Sequence, residues 1–437
     1  MSLGYASRLS WKEDYGGQLG TRELHDKGDV VEKKVERLAE WFSSASGIIV
    51  FTGAGISTSC GIPDFRGPKG VWTLQKQGKP PPELKMSFEM SKPSYTHQAI
   101  ATLVSRGKIS YVVSQNVDGL HLRTGIPRDK IAELHGNCFA ERCSKCKKEY
   151  IRDFEMKTVG FKPTGRKCSA PQCSGGLRDH ILDWDDALPE AELQKSEEHA
   201  QKADLAVCLG TSLQIIPACD IPLETVNEGG RLAIVNLQKT PKDGDADLVI
   251  HSRVDEVMRS LMGRLKIKVP NFLRRDWFVF LHRQSLPKET SARRQTCTFE
   301  FEVVSPHGVH HCTMPMLESV TIEFPDEPGV EPHFMSEPPF RWKCVGKMEK
   351  MNLRVVLGFG EGADEDKRSG VVYYVIDPLE RADYLERKEF ANVEKSRGVM
   401  VIKEETHSFI TQEVRYELDE GQESPDLSPQ KRKKRKL

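Results

Sequence analysis

The chain has 437 residues and a mass of 49.4 kDa, which is too long for one ordinary domain, so two or three domains are predicted. Hydrophobic residues make up 38% and charged residues 29% of the sequence, a composition typical of a soluble globular protein. The 64 basic and 64 acidic side chains give a formal net charge of zero. This excludes an overall basic nucleic-acid binder, whereas a local basic patch stays open.

The charge is unevenly distributed along the chain. Residues 1–270 carry 38 basic and 35 acidic side chains, residues 271–430 carry 20 and 29, and the last seven residues add six basic ones. The C-terminal part therefore looks like a separate unit with a basic tag. The sequence contains neither an apolar run of about 20 residues, as a membrane span requires, nor the apolar core of a signal peptide. We expect a cytosolic or nuclear protein with reduced cysteines and no membrane contact.

Short apolar segments alternate with helical patterns as far as about residue 268. Residues 1–28 are predicted to form a polar, glycine-rich arm, and the apolar spacing from Val31 to Phe42 predicts the first helix. The predicted strands and helices are 48–51, 95–106 (helix), 109–113, 205–209, 232–235, 248–250 and 254–265 (helix). Their alternation predicts an α/β fold with a Rossmann-type parallel sheet covered on both faces. Ligands of such sheets bind at the carboxyl ends of the strands.

Two segments depart from this pattern. Residues 138–180 hold a cysteine cluster and little core, so they predict an inserted module. After residue 268 the helical alternation stops, and short strands between Pro-Gly and acidic turns predict a mostly β unit. The predicted divisions are an arm at 1–28, a Rossmann-type domain at 29–137 and 181–268, a cysteine-rich module at 138–180, a β-rich C-terminal extension at 269–418 and a disordered tail at 419–437.

The cysteine cluster has the spacing of a metal site. Cys143 and Cys146 form one short-spaced pair, and Cys168 and Cys173 form a second pair about twenty residues later. In a reducing compartment, two such pairs predict the four thiolates of a tetrahedral structural zinc site. Four protein ligands leave no open coordination position, so this zinc should stabilise the fold and take no part in catalysis. Two unrelated pairs of free cysteines are the alternative.

Two loops after the first strand have the residues of a phosphate-binding site. Residues 53–57 (Gly-Ala-Gly-Ile-Ser) follow the strand directly, where glycines let the backbone approach a pyrophosphate. The usual dinucleotide fingerprint is absent, because Thr58 holds its sixth position and the expected ribose-binding carboxylate is missing. A simple tight turn therefore stays open. In the second loop, residues 61–67, Arg66 can contact phosphate and Phe65 can close over a ligand, but a surface turn with a salt bridge fits equally well.

Amide, carboxylate and imidazole side chains follow in two further segments. Residues 115–118 (Gln-Asn-Val-Asp) come after a predicted strand, and His135 stands beside Gly136. A histidine that titrates near neutrality can act as a general base, although a lone histidine is more often structural. The sequence has no nucleophile elbow, no P-loop lysine and no Ser-His-Asp pattern, so hydrolase and kinase functions have no support.

Taken together, these motifs resemble one family, the sirtuins, in the family's order over about residues 30–265. The matching segments are Gly53–Ser57, Gly61–Arg66, Gln115–Asp118, His135-Gly136, the two cysteine pairs, Gly210–Ser212 and Val235-Asn236. Segments Gly67–Trp72 and Ile181–Trp184, and the short span between Arg66 and Ser91, are similar to the class IV, nuclear branch. The length and composition of the second half are similar to the long extensions of plant members.

The resemblance implies a fold, an activity and a co-substrate. A Rossmann-type domain and a small zinc-ribbon domain would bind NAD⁺ and an acyl-lysine peptide in the cleft between them. The acyl oxygen would attack the anomeric carbon of the nicotinamide ribose, nicotinamide would leave, and free lysine and O-acyl-ADP-ribose would form. The implied function is NAD-dependent protein-lysine deacylation on histone tails, with H3 the expected one. Mono-ADP-ribosylation of proteins at the same NAD site, and a chromatin-binding scaffold with weak activity, stay open as alternatives.

The resemblance also implies roles for single residues. His135 would be the general base, Asn116 would position the ribose and a water, and Asp118 would hold the nicotinamide carboxamide. The implied NAD-binding residues are Ala54, Thr58, Phe65, Arg66, Trp72, Gln115, His135, Gly210, Ser212, Asn236, Gln238 and Val254. Asp183 and Trp184 would lie along the acyl-lysine channel, where most sirtuins have two aromatic residues.

The basic C-terminal cluster predicts where the protein works. Lys431–Lys436 resembles a nuclear localisation signal, so we expect a nuclear protein with chromatin as a partner. Such a cluster would also attract nucleic acid without sequence preference. A solvated basic tail is the alternative. The sequence gives no indication of the oligomeric state.

Overall fold

The computed structural model describes residues 2–10, 12–82, 86–285, 296–308, 312–347, 349–377 and 400–416. The predicted disordered tail at 419–437, including Lys431–Lys436, lies outside these residues. Among the helices of the described segments, none has both the length and the hydropathy that crossing a membrane requires.

The described residues up to 268 contain eight α-helices and ten strands. The helices are α1 (Ser2–Arg8), α2 (Gly28–Ser44), α3 (Val71–Lys76), α4 (Tyr95–Ser105), α5 (Leu120–Arg123), α6 (Glu190–Lys202), α7 (Ile221–Asn227) and α8 (Val254–Arg264). The strands are β1 (Ile48–Thr52), β2 (Tyr111–Ser114), β3 (Ile131–Glu133), β4 (Gly136–Cys143), β5 (Glu149–Ile151), β6 (Pro163–Lys167), β7 (Gly176–Ile181), β8 (Leu205–Leu209), β9 (Arg231–Val235) and β10 (Leu248–Ile250).

Six of these strands form one parallel sheet in the order β10-β9-β8-β1-β2-β3. In the central register, Val50 lies opposite Val112 on one side and Val207 on the other. Helices α2, α4 and α8 cover one face, and α6 and α7 cover the other. Strands that are buried on both faces have continuously apolar sequences, so their positions could be predicted from the sequence. The predicted Rossmann-type sheet is confirmed. The short edge strand β3, which leads to His135, was not predicted.

The cysteine-rich segment forms its own small sheet, inserted between β3 and α6. Its four antiparallel strands lie in the order β5-β4-β7-β6. Cys143 ends β4, and Cys168 follows β6 directly. Phe139 and Ile181 of this sheet pack in a small apolar core with Phe154 and Met156. At the cysteine end, Leu177 is the buried aliphatic residue beside the thiols.

The C-terminal extension is a β-sandwich. Its described strands are β11 (Phe272–Ser285), β12 (Thr296–Val304), β13 (Leu317–Glu323), β14 (His333–Met335), β15 (Phe340–Lys347), β16 (Met351–Phe359), β17 (Ser369–Ile376) and β18 (Met400–Val414). They form two antiparallel sheets in the orders β15-β12-β11-β18 and β14-β13-β16-β17. Both sheets contribute to one apolar core. The predicted mostly β unit is confirmed, but β11, β14 and β15 go beyond the predicted strands.

The ends of the sandwich attach it to the N-terminal half of the chain. Phe272 and Tyr416 belong to the core under the parallel sheet. The Tyr416 hydroxyl donates to the carbonyl oxygen of Pro93 at 3.0 Å, and its ring meets Tyr95 edge-on at 5.5 Å. Lys92 also forms an ion pair with Asp364 at 2.5 Å. The extension is therefore docked on the segment that leads into α4.

Replacing Phe280 by alanine should destabilise the sandwich. Its fully buried ring meets Phe301 at 5.2 Å and Tyr374 at 6.1 Å. The cavity left behind should lower the free energy of unfolding by about 3–5 kcal/mol in urea denaturation. Val345→Ala is the matched control, because Val345 is 70% exposed and its loss should change the value by less than about 0.5 kcal/mol. Equal effects of the two changes would contradict the sandwich core.

Candidate active site

A cavity of about 950 Å³ opens at the carboxyl ends of the parallel strands. Most of the predicted ligand-binding side chains line it, and these are Ala54, Phe65, Arg66, Trp72, Gln115, Asn116, His135, Asp183, Trp184, Gly210, Ser212, Asn236 and Gln238. Three predicted residues stand outside the lining. Thr58 is exposed, Val254 is packed in the core, and Asp118 is buried behind the wall.

The glycines after β1 are explained by a close approach of two loops. A Cβ on Gly53 would come within 2.8 Å of the Gly210 carbonyl oxygen, and a Cβ on Gly55 would come within 2.8 Å of the Gly210 Cα. The Gly55 amide donates to that carbonyl at 2.8 Å. Packing alone thus requires these glycines. Their contribution to the site is to bring the ends of β1 and β8 together at the cavity.

Arg66 provides the positive charge of the cavity wall. Its Nη2 donates to the carbonyl oxygens of Tyr15 at 2.8 Å and Gly16 at 3.1 Å, and its guanidinium lies 4.6 Å from the centre of the Trp72 ring. Burial lowers its pKa to about 10, so it remains cationic at neutral pH. Its buried Nε has no hydrogen-bond partner among the described residues. An orphaned cationic donor in the wall fits a phosphate-bearing ligand such as NAD⁺.

The N-terminal segment completes the wall. Tyr15 stacks on Trp72 at 5.7 Å and meets Trp184 at 6.0 Å, while the two tryptophan rings lie 4.7 Å apart. Backbone hydrogen bonds hold the segment in place, including Gly20 to the Arg66 carbonyl at 2.9 Å. The sequence analysis missed Tyr15, because all its partners are more than fifty positions away. The only local signal is an aromatic residue before two glycines.

His135 is oriented by a single backbone hydrogen bond. It follows β3, and its Nδ1 lies 3.1 Å from the carbonyl oxygen of Gln115. A carbonyl oxygen can only accept, so Nδ1 carries the proton and Nε2 keeps its lone pair. Burial lowers the pKa of His135 to about 4, opposed by the Gln115 hydrogen bond and assisted by the nearby charge of Arg66. The imidazole is therefore neutral at physiological pH.

A polar network fixes the loop that carries Asn116. The Asn116 amide donates to the Gly53 carbonyl oxygen at 3.1 Å, and the Ser57 hydroxyl donates to Asp118 at 2.7 Å. Asp118 also accepts from the Leu120 amide at 2.9 Å, which caps the first turn of α5. Asp118 thus ties the loop after β1 to the loop after β2. It supports Asn116 from behind the cavity wall.

The four predicted zinc ligands meet at one point. The sulfur atoms of Cys143, Cys146, Cys168 and Cys173 lie within 4.8 Å of one another. The Cys143–Cys173 and Cys146–Cys168 sulfur pairs are each 3.6 Å apart. A tetrahedral Zn²⁺ with bonds of about 2.3 Å would separate its sulfurs by about 3.8 Å. The cluster therefore fits a zinc ion with four protein ligands.

A second group of metal-type side chains is already neutralised. Glu149, His180 and Glu192 lie within 4.8 Å of one another. Both carboxylates pair with Arg128 and Arg142 at 2.6–2.8 Å. The two guanidinium groups supply the positive charge that a metal ion would otherwise provide, so this cluster is a structural ion-pair network.

The comparisons with known proteins agree with the site. The Sir2 family model matches residues 81–217. A rice relative named NAD-dependent protein deacetylase SRT1 is 42% identical over 440 residues, covering 96% of this chain and 89% of its own length. The chain belongs to the Sir2, or sirtuin, family. It is thus an enzyme of the kind that uses NAD⁺ as a co-substrate, and the long plant-type chain predicted from the sequence is confirmed.

Two further similarities cover between half and two thirds of this chain. A Drosophila melanogaster relative named NAD-dependent protein deacetylase Sirt6 is 43% identical over 279 residues, 62% of this chain and 87% of its own. A solved structure of Sir2 with a p53 peptide and NAD⁺ covers 54% of this chain and 99% of its own, at 30% identity and a TM-score of 0.42.

Removing one zinc ligand of this sirtuin should release the metal. Cys143→Ser should lower the zinc content by about one equivalent per chain and lower the unfolding midpoint, because a structural zinc site contributes folding free energy directly. The measurements are elemental analysis and thermal unfolding. Cys219→Ser is the control, since this buried cysteine lies outside the cluster and should keep the zinc. Full zinc content in Cys143→Ser would rule out the four-cysteine site.

Proposed function

We propose that this sirtuin is an NAD-dependent protein-lysine deacylase that acts on histone tails, H3 among them, and releases nicotinamide and O-acyl-ADP-ribose. One observation carries the proposal. A neutral His135, with its Nδ1 proton bound to the Gln115 carbonyl oxygen, offers Nε2 as a base inside a cavity that contains the predicted NAD-binding residues. Its close relatives, such as rice SRT1, are named as NAD-dependent protein deacetylases.

The residues of the cavity divide the work. Bound NAD⁺ supplies a nicotinamide–ribose bond that can be broken by an attacking acyl oxygen. His135 accepts a ribose hydroxyl proton at Nε2, and the Gln115 carbonyl fixes the ring for that transfer. Asn116 is held by Gly53 and Ser57, so its side chain stays in one orientation. Arg66 compensates phosphate charge, and the stacked rings around Trp72 exclude water from the reacting groups.

The cavity is large enough for acyl groups longer than acetyl. Apolar side chains from the loop after β7, from α6 and from the loop after β8 also line it, and these are Leu182, Leu188, Leu193, Ile215 and Ile216. An apolar wall favours an acyl chain that removes its surface from water. This supports deacylation in general, with acyl groups longer than acetyl among the substrates.

Substitution of His135 should abolish the reaction without unfolding the chain. His135→Tyr should reduce the conversion of an acetylated H3 tail peptide at least 100-fold, because general-base catalysis is lost. Mass spectrometry with and without NAD⁺ follows acetyl loss and O-acetyl-ADP-ribose. His333→Gln is the control, since His333 is exposed on β14 of the extension and should leave the rate unchanged. Full activity of His135→Tyr would refute the assigned base.

The low pKa of His135 predicts an unusual pH profile. Since the folded-state pKa of about 4 lies below the ordinary value of 6.5, the base stays unprotonated from pH 8 down to pH 6. The single-turnover rate constant should be flat over that range and fall only as the pH approaches 4. A titration with a midpoint near 6.5 would show that His135 is solvated like a free histidine, against the buried geometry.

The alternative function is ADP-ribosyl transfer to proteins, which an experiment with radioactive NAD⁺ would detect. Label from radioactive NAD⁺ would then remain on protein after denaturation, in excess of any acyl loss.

A nuclear location and chromatin binding are also proposed, and they rest on the sequence of Lys431–Lys436. Fusion to a fluorescent protein, with and without these residues, tests the location, and nucleosome binding by the same two forms tests the partner.

A further inference from the structure

A second cavity lies where the catalytic domain, the zinc module and the C-terminal extension meet. Its volume is about 230 Å³, and it shares no lining residue with the larger cavity. Gly119 and Arg123 come from the catalytic domain, Phe139 and Arg152 from the zinc module, and residues 272–276 from β11 of the extension. Each of the three units therefore contributes part of the wall.

The wall carries more positive than negative charge. Four arginines line it, namely Arg123, Arg152, Arg274 and Arg275, against two carboxylates, Asp153 and Asp276. Asp276 accepts from Arg274 at 2.9 Å and from the Thr411 hydroxyl, and Asp153 lies 3.3 Å from His307 with no hydrogen bond at its Oδ1. Arg152 is already paired with Glu141 at 2.7 Å. Arg123 and Arg275 are therefore the arginines of the wall that form no ion pair among the described residues.

Arg123 is a half-buried cation in the wall of this cavity. Its Nη1 donates to the carbonyl oxygens of Phe88 at 3.0 Å and Ser91 at 2.7 Å, and its guanidinium lies 5.0 Å from the centre of the Phe139 ring. It forms no ion pair with any described carboxylate. Burial and the nearby charge of Arg274 lower its pKa to about 10, while the charges of Asp118, Asp276 and Glu89 oppose this shift. Since none of these carboxylates forms an ion pair with the guanidinium, an anion that enters the cavity could pair with it directly.

Arg275 stands at the mouth of the same cavity. It is exposed and donates to the Ser408 hydroxyl at 3.0 Å, and it too lacks an ion pair in the described segments. A β-bulge between Arg274 and Arg275 sets its position, since Thr411 is the extra residue on β18. Bulges re-aim neighbouring side chains and occur often beside functional sites. Here the bulge turns Thr411 toward Asp276 and keeps that carboxylate occupied.

We propose that this cavity binds a small organic oxyanion, a phosphate monoester or a carboxylate, between Arg123 and Arg275. Guanidinium groups suit such ligands because their donors match two oxygens at once. The volume equals that of about eight liquid waters, enough for an anionic group and a few carbon atoms. Apolar side chains of Leu122, Ile151 and Phe272 complete the wall for that carbon part.

The site touches the helix that holds Asp118. Gly119 lines the cavity, and the next residue, Leu120, donates its amide to Asp118. A ligand there would contact the catalytic domain and the extension together, and would do so on the opposite side of the Asn116–Asp118 loop from the NAD cavity. The proposal stands independently of the deacylase assignment, because it is tested by binding alone.

Calorimetric titration of the full chain tests the site. The NAD cavity is first filled with saturating ADP-ribose, which is too large for the second cavity, and inorganic phosphate is then titrated at constant ionic strength. We expect one phosphate per chain, with Arg275→Gln weakening the affinity about tenfold through the lost charge-assisted hydrogen bonds. Arg415→Gln is the control, since Arg415 is an exposed arginine of the same extension, with a side-chain exposure of 79%.

The outcomes separate a built site from general salt effects. Saturable binding that Arg275→Gln weakens and Arg415→Gln preserves supports the proposal. No saturable heat with the wild-type chain, or equal responses of the two variants, overturns it. Arg123→Gln should abolish binding, but that half-buried residue supports the fold, so Arg275→Gln keeps the test decisive. Repeating the titration with glycerol phosphate and with succinate distinguishes the two ligand sources by which binds more tightly.

Discussion

The parallel pairing of β1 with β2 and β8 is the constraint on which the rest of this molecule depends. Because the three strands run the same way, the loops after them meet at one edge of the sheet. The loop after β1 is pressed against Gly210, the loop after β2 presents Gln115, and β3 adds His135 beside it. The chemistry of the site follows from this convergence.

The same pairing places His135 beside the Gln115 carbonyl oxygen, so the base is oriented without a carboxylate partner. Many catalytic histidines are oriented by a carboxylate, which raises their pKa. His135 is oriented by a neutral carbonyl oxygen, which favours the charged ring, but burial outweighs this contact and keeps the ring uncharged. Asp118, the predicted carboxylate of the site, accepts hydrogen bonds instead from Ser57 and Leu120. Positioning and proton transfer are thus assigned to different residues.

Sequence reasoning recovers the parts of this structure that have a local cause. The strands of the parallel sheet are continuously apolar, and the four cysteines carry their spacing in the sequence, so both could be predicted. Strand β11 could not, because Arg274, Arg275 and Asp276 interrupt its apolar pattern. Those charges are tolerated through an ion pair and contacts with distant segments, which no local window contains. Tyr15 could not be predicted for the same reason, because its ring partners are distant in the sequence. Thr58 was predicted from its place in the glycine motif, and its side chain is exposed.

The position of Tyr416 limits how far the basic cluster can lie from the catalytic domain. Its hydroxyl donates to the Pro93 carbonyl oxygen, so Tyr416 lies beside the start of α4 in the catalytic domain. The basic cluster begins at Lys431, and even a fully stretched connection from Tyr416 would extend only about 50 Å. Any polyanion held by that cluster is therefore kept at a high local concentration around the catalytic domain, whatever the bulk concentration is. The extension would thus act as a tether that starts at a fixed point on the catalytic domain.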